Sequence, residues 1–105
     1  FGPDEIRKAS WRLETFSPVL KKDLIDVKVC DLYNITIEGS QVEIIERSYN
    51  AAKDIMKKGK IPIMMGGEHS ITYPIVKAAK EAYDDIVLIQ FDAHCDLRDE
   101  YLGNK

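Results

Sequence analysis

Two short segments of the chain concentrate the residue types that bind metal ions. One of them, residues 92–96, has the sequence Asp-Ala-His-Cys-Asp and follows directly on an apolar run. The other contains His69, the only further histidine, within Gly-Gly-Glu-His-Ser after a second apolar run. If 92–96 stays extended, side-chain alternation places Asp92, His94 and Asp96 on one face. With His69 they predict a metal centre, and the alternative is a hydrogen-bonded turn network without an ion.

The ligand types favour manganese. Carboxylates combined with single imidazoles suit Mn²⁺ or related ions, whereas thiolates or several histidines favour zinc. Four ligands are more than one open catalytic ion usually takes, so we expect two ions that share a carboxylate and a water. Two ions ~3.5–4 Å apart lower the pKa of that water so that hydroxide forms near neutral pH.

Three helices are predicted from hydrophobic spacing and from capping residues. The first follows Gly-Pro-Asp-Glu and covers about 2–15, since proline and acidic residues favour a helix start. The second covers 40–58 and ends at Gly59, and the third begins at residue 70 or 72 and runs to 83. Pro74 then falls in the first turn of the third helix, where proline is tolerated.

The apolar runs between these helices are too short to be helical and predict strands at 27–32, 61–65 and 86–91. Strands that alternate with helices and are almost continuously apolar indicate a parallel sheet covered on both faces, an α/β arrangement. Ligands of such sheets bind outside the carboxyl ends of the strands, and both histidine segments lie at such ends.

Composition and charge exclude several classes of function. The chain has 105 residues, is 45% hydrophobic and carries a formal net charge of −3. We expect no nucleic-acid partner because there is no basic stripe, and no membrane span because no apolar stretch approaches ~20 residues. Cys30 and Cys95 have neither CxxC spacing nor the density of a disulfide scaffold, which favours a reducing compartment, the cytoplasm. Residues 1–105 are expected to form one domain, and an incomplete one, since the chain lacks an initial Met and stops soon after residue 96.

The two histidine segments carry a family resemblance. Residues 66–70 followed by 92–96 resemble the first two signature motifs of the ureohydrolases, the arginase and agmatinase family, in its order and at about its spacing. Residues 1–7 are similar to that family's early loop-to-helix segment. Residues 97–103 and Glu68 resemble agmatinases more than arginases. The resemblance implies a three-layer α/β/α fold with a mostly parallel sheet, the arginase-like fold, present here in part.

The resemblance also implies roles for the four predicted ligands. His69 and Asp96 would bind one manganese, His94 the other, and Asp92 would bridge the two. The implied reaction is hydrolysis of a guanidinium substrate, with agmatine giving putrescine and urea in polyamine biosynthesis, by a homo-oligomer (trimer or hexamer). The family's third metal motif, its proton-shuttle histidine and its guanidinium-binding glutamate have no counterpart here, so no catalytic residue is assigned and this chain alone is expected to be inactive.

Other functions stay open from the sequence. Arginase, guanidinobutyrase and formiminoglutamase activities differ in substrate-reading loops that this chain mostly lacks. A two-metal phosphoesterase is disfavoured by motif order, because calcineurin-like enzymes place Asp-x-His first and Asn-His later. A non-catalytic metal-binding subunit is disfavoured because grouped buried charges are costly unless they are used.

Overall fold

The regular structure of the described residues consists of three α-helices and one short antiparallel ribbon. The computed structural model describes residues 2–100 and 103. The helices are α1 (Gly2–Ser10), α2 (Gln41–Lys57) and α3 (Thr72–Ala82), and the paired strands are β1 (Phe16–Ser17) and β2 (Lys22–Asp23). Single 3₁₀ turns lie at Leu24–Asp26 and His69–Ile71. Within the described residues, no helix has the length and apolar content of a membrane-spanning segment.

Helix α2 shows most directly how local sequence sets an element. The Ser40 hydroxyl accepts a hydrogen bond from the Glu43 amide at 3.4 Å, and the Glu43 carboxylate accepts one from the Ser40 amide at 2.7 Å. This reciprocal arrangement satisfies two amides that the helix itself leaves unpaired. At the other end Gly59 has φ of 66°, a left-handed conformation that glycine adopts without a side-chain clash. The predicted helix 40–58 is confirmed.

The core lies between α2 and α3. Ala52 on α2 and Ala78 on α3 are completely buried, and Met56 is almost buried beside them. Small side chains at this contact let the two helix backbones approach closely, and Met56 fills the remaining space. Pro74 is also fully buried in the first turn of α3, where its missing N–H has no partner to lose. The predicted third helix is confirmed, and this helix pair supports the segment that bears His69.

Helix α1 is shorter than predicted, since it ends at Ser10 and not near residue 15. Two bonds of the tighter i to i−3 type close it, from the Arg12 amide to the Ala9 carbonyl at 3.2 Å and from the Leu13 amide to the Ser10 carbonyl at 3.1 Å. Leu13 remains 70% exposed. The end of α1 therefore lacks the apolar burial that would stabilise a longer helix.

The three predicted strands do not form a ladder in the described part of the chain, which contradicts that part of the prediction. The segments concerned are 27–32, 61–65 and 86–91. Parallel strands are stabilised when both faces are covered, but Ile61, Val87 and Phe91 are 87%, 86% and 98% exposed. Burial therefore does not offset the entropy cost of ordering a ladder here. Segments 61–65 and 86–91 nevertheless lead into the two histidine motifs, whose residues His69, Asp92 and Asp96 lie together.

Candidate metal centre

His69 stands at the start of the 3₁₀ turn that leads directly into α3. Glu68 precedes this turn, and its carboxylate accepts hydrogen bonds from the Ser70 amide at 3.2 Å and from the Ser70 hydroxyl. The amide of Thr72 bonds back to the carbonyls of His69 and Ser70. The backbone of His69 is therefore fixed relative to the buried helix pair.

The second motif forms a turn. The Asp92 carboxylate accepts a hydrogen bond from the His94 amide at 2.9 Å, and the Gln90 side-chain amide donates to the His94 carbonyl at 3.2 Å. Asp96 has φ of 50°, a left-handed conformation that aspartate adopts more readily than most residues. Asp92 and Asp96 thus reach the same side through a turn, and not through the alternation of an extended segment. Gln90 was not singled out from the sequence, although a polar residue within the apolar run 86–91 was a signal.

Three of the four predicted ligands come together. Atoms of His69, Asp92 and Asp96 suited to bind an ion all lie within 4.8 Å of one another. His69 Nδ1 is 2.5 Å from Asp96 Oδ2 and 3.6 Å from Asp92 Oδ2. Ligand bonds of about 2.1 Å place the donors of one ion roughly 3–4 Å apart, so a small adjustment admits a cation. An imidazole with two carboxylates suits Mn²⁺, and this donor set fits the implied metal.

His94 lies at the edge of this group. Its Nδ1 is 3.7 Å from Asp92 Oδ1, and its side chain is 81% exposed. Asp92 is therefore within 4 Å of both imidazoles, with a different oxygen directed at each. The side chains of His69, Asp92 and Asp96 are 44%, 30% and 47% exposed, which leaves the group open to ions from solution.

A separate polar cluster joins α2 to α3. Lys53 Nζ donates to Glu81 Oε2 at 2.7 Å and to the Tyr49 hydroxyl at 2.6 Å, and that hydroxyl donates to Glu81 at 2.5 Å. Hydrogen bonding to Glu81 raises the pKa of Lys53, and hydrogen bonding from Lys53 lowers the pKa of Glu81. None of these three residues belongs to the metal-ligand group, and their contacts hold the two helices together.

The described chain thus packs two helices together and gathers a histidine and two carboxylates beside them, a set of side chains that could hold a metal ion. The model of the arginase family matches residues 1–105, and the chain belongs to this family.

Known proteins agree with this assignment. The chain is 40% identical to the agmatinase of Bacillus subtilis over 104 residues, which is 98% of this chain and 36% of that protein. It is 36% identical to the mitochondrial guanidino acid hydrolase of Homo sapiens over 114 residues, which is all of this chain and 30% of that protein. The crystal structure of a proposed agmatinase from Clostridium difficile superimposes with a TM-score of 0.87 at 41% identity.

The extent of these matches defines how much of the fold is present. The structural match covers 97% of this chain and 37% of the Clostridium difficile chain, and the chain spans about 36% of the length of the agmatinase of Bacillus subtilis. The predicted arginase-like fold, present in part, is confirmed by this match.

Proposed function

We propose that residues 1–105 supply part of the binuclear manganese site of a hydrolase that releases urea from a guanidinium substrate. The observation that carries this proposal is the gathering of His69, Asp92 and Asp96 within 4.8 Å of one another, on the two motifs that define the family resemblance. The names of the relatives support hydrolysis of guanidino compounds, and agmatine is the first candidate because agmatinases are prominent among them.

We assign each ligand the role that the family resemblance implies, and the positions of the side chains support these roles. His69 and Asp96 are in direct contact and would bind one ion, while His94, at the open edge, would bind the other. Asp92 is suited to bridge because its two oxygens are directed at different imidazoles. When bound, two manganese ions supply a nucleophile from water and stabilise developing negative charge. Proton transfer to the leaving nitrogen is a separate requirement, and none of these four residues is assigned to it.

A guanidino acid is the second candidate substrate. The human relative at 36% identity is named as a guanidino acid hydrolase, so the family motifs alone do not select between a terminal amine and a terminal carboxylate. We further propose that the complete enzyme is a cytoplasmic homo-oligomer, a trimer or hexamer, and that residues 1–105 form one incomplete domain that is inactive alone.

The test is urea release from agmatine, arginine and guanidinobutyrate, with Mn²⁺ added and again after chelation. The assay uses residues 1–105 and, beside them, a polypeptide of the relatives' length that contains them. We expect manganese-dependent urea from agmatine in the longer polypeptide and none from residues 1–105. Absence of urea from all three substrates would overturn the proposed reaction, and hydrolysis of a nitrophenyl phosphate ester would favour the phosphoesterase alternative.

A further inference from the structure

Glu68 carries a charge beside a predicted metal ligand and yet takes no part in the metal-ligand group. Among the residues that the structure describes, the group that could hold an ion consists of His69, Asp92 and Asp96. The Glu68 carboxylate instead accepts two hydrogen bonds from the residue on the other side of the histidine, from the amide and from the hydroxyl of Ser70. The carboxylate therefore spans the histidine and fixes the backbone on both sides of it.

Further contacts hold the same turn. The Ile71 amide lies 3.5 Å from the Glu68 carbonyl, and the side chain of Ile71 occupies the space beside Gly66 that a Cβ would fill. Helix α3 begins at Thr72, directly after this turn. The packed helix pair therefore fixes the position of the His69 backbone. The direction of the His69 ring then depends on the conformation of this turn, which the hydrogen bonds from Ser70 to Glu68 stabilise.

We propose that Glu68 is a positioning residue that holds the His69 imidazole against Asp92 and Asp96 without binding the ion itself. This inference rests on the proposed metal centre. The reason is geometric, since His69 must keep its Nδ1 near two carboxylates that lie 23 and 27 residues further along the chain. A turn free to rotate would spend much of its time in arrangements that the two carboxylates cannot reach. Partners that hydrogen-bond a ligand directly typically contribute about 10- to 100-fold in metal affinity, and Glu68, which acts through Ser70, is expected at the lower end of that range.

The test compares Glu68→Ala with Glu68→Gln in a polypeptide of the relatives' length that contains residues 1–105. It measures the affinity for Mn²⁺ by titration calorimetry and by the electron paramagnetic resonance of the free ion. Glutamine keeps a side-chain oxygen that accepts from Ser70 but has no charge, whereas alanine keeps neither. We expect Mn²⁺ affinity to fall on the order of 10-fold with alanine and to stay within about 3-fold of the unchanged chain with glutamine. Glu46→Ala, at an exposed position of α2, removes the same charge and should leave the affinity unchanged.

Amide hydrogen exchange of Ser70 in the metal-free chain gives a second, independent reading. Loss of the acceptor in Glu68→Ala should accelerate exchange at this amide, and Glu68→Gln should preserve the protection. Faster exchange with unchanged Mn²⁺ affinity would show a cap that serves the turn alone. That result would leave the metal centre standing and would overturn the positioning role.

Two other results would also overturn it. If Glu68→Gln weakens Mn²⁺ binding as much as Glu68→Ala does, the charge of Glu68 acts on the ion directly, and Glu68 is not a positioning residue. If the unchanged chain binds no Mn²⁺, the proposed metal centre fails first, and this inference fails with it. The unchanged chain therefore separates failure of the metal centre from failure of the positioning role.

Discussion

Replacement of Asp92 by asparagine tests the metal centre most directly. Asp92 Oδ2 is 3.6 Å from His69 Nδ1, and Asp92 Oδ1 is 3.7 Å from His94 Nδ1. Asp92→Asn removes one negative charge and turns one of these oxygens into an amide nitrogen, while the volume of the side chain hardly changes. Because one carboxylate would serve two ions, we expect both binding events to weaken together.

The size of the effect follows from the exposure of Asp92. Two unit charges 4 Å apart interact by about 1 kcal/mol in water and about 4 kcal/mol at an effective dielectric constant of 20, and a divalent ion doubles both values. The Asp92 side chain is 30% exposed, which places the interaction in the lower half of that range. A loss of about 2–4 kcal/mol corresponds to Mn²⁺ binding weaker by roughly 30- to 700-fold, since about 1.4 kcal/mol is a factor of ten.

The measurement is a calorimetric titration with Mn²⁺, at neutral pH and moderate salt, of a polypeptide of the relatives' length that contains residues 1–105. The matched control is Asp54→Asn, which makes the same chemical change at an exposed position of α2 outside the ligand group. In a polypeptide of the relatives' length that releases urea, Asp92→Asn should abolish the reaction. Binding of two ions with unchanged affinity in Asp92→Asn would refute the bridging role and the charge argument behind it.

Two further predictions concern stability. Met56→Ala removes a side chain packed between α2 and α3 and should lower the free energy of unfolding by about 2 kcal/mol, measured by urea titration followed by circular dichroism. The control is Met65→Ala, at a residue that is 55% exposed, which should change the free energy of unfolding little. The hydrogen bond from Arg7 holds the pKa of Asp31 below its usual value, so this pair stabilises the fold above about pH 4 and loses that contribution as the pH falls further. The melting temperature should therefore fall as the pH drops below about 4, and Asp31→Asn should flatten that dependence; equal slopes in both proteins would contradict it.

The helices could be predicted because their signals are local. Ser40 with Glu43, and Gly59 after the last turn, define the ends of α2 through contacts that span only a few residues. The end of α1 was mispredicted because Leu13 has helical spacing but nothing to pack against. Periodicity shows which face a helix would bury, and only tertiary structure shows whether a partner covers that face.

The strands could not be predicted from apolar character alone, for a related reason. A run such as 86–91 favours a buried parallel strand only when neighbours cover both of its faces. Val87 and Phe91 are largely exposed, so the same residues that suggested a strand lack the burial that would order a ladder. Apolar content therefore predicted the class of fold correctly but not the hydrogen bonding of these segments.

The metal-ligand group differs from the strands, because the His69 motif and the Asp92 to Asp96 motif are each held by short-range contacts of their own. Glu68 caps the turn of His69 through Ser70, and Asp92 caps its own turn through the amide of His94. Neither arrangement depends on a strand ladder. The motifs implied that His69 and Asp96 share an ion, but they did not show the direct contact between the two side chains, which spans 27 residues and in which Asp96 has a left-handed backbone. The motifs therefore specify which residues meet, while the turns decide the distances at which they meet.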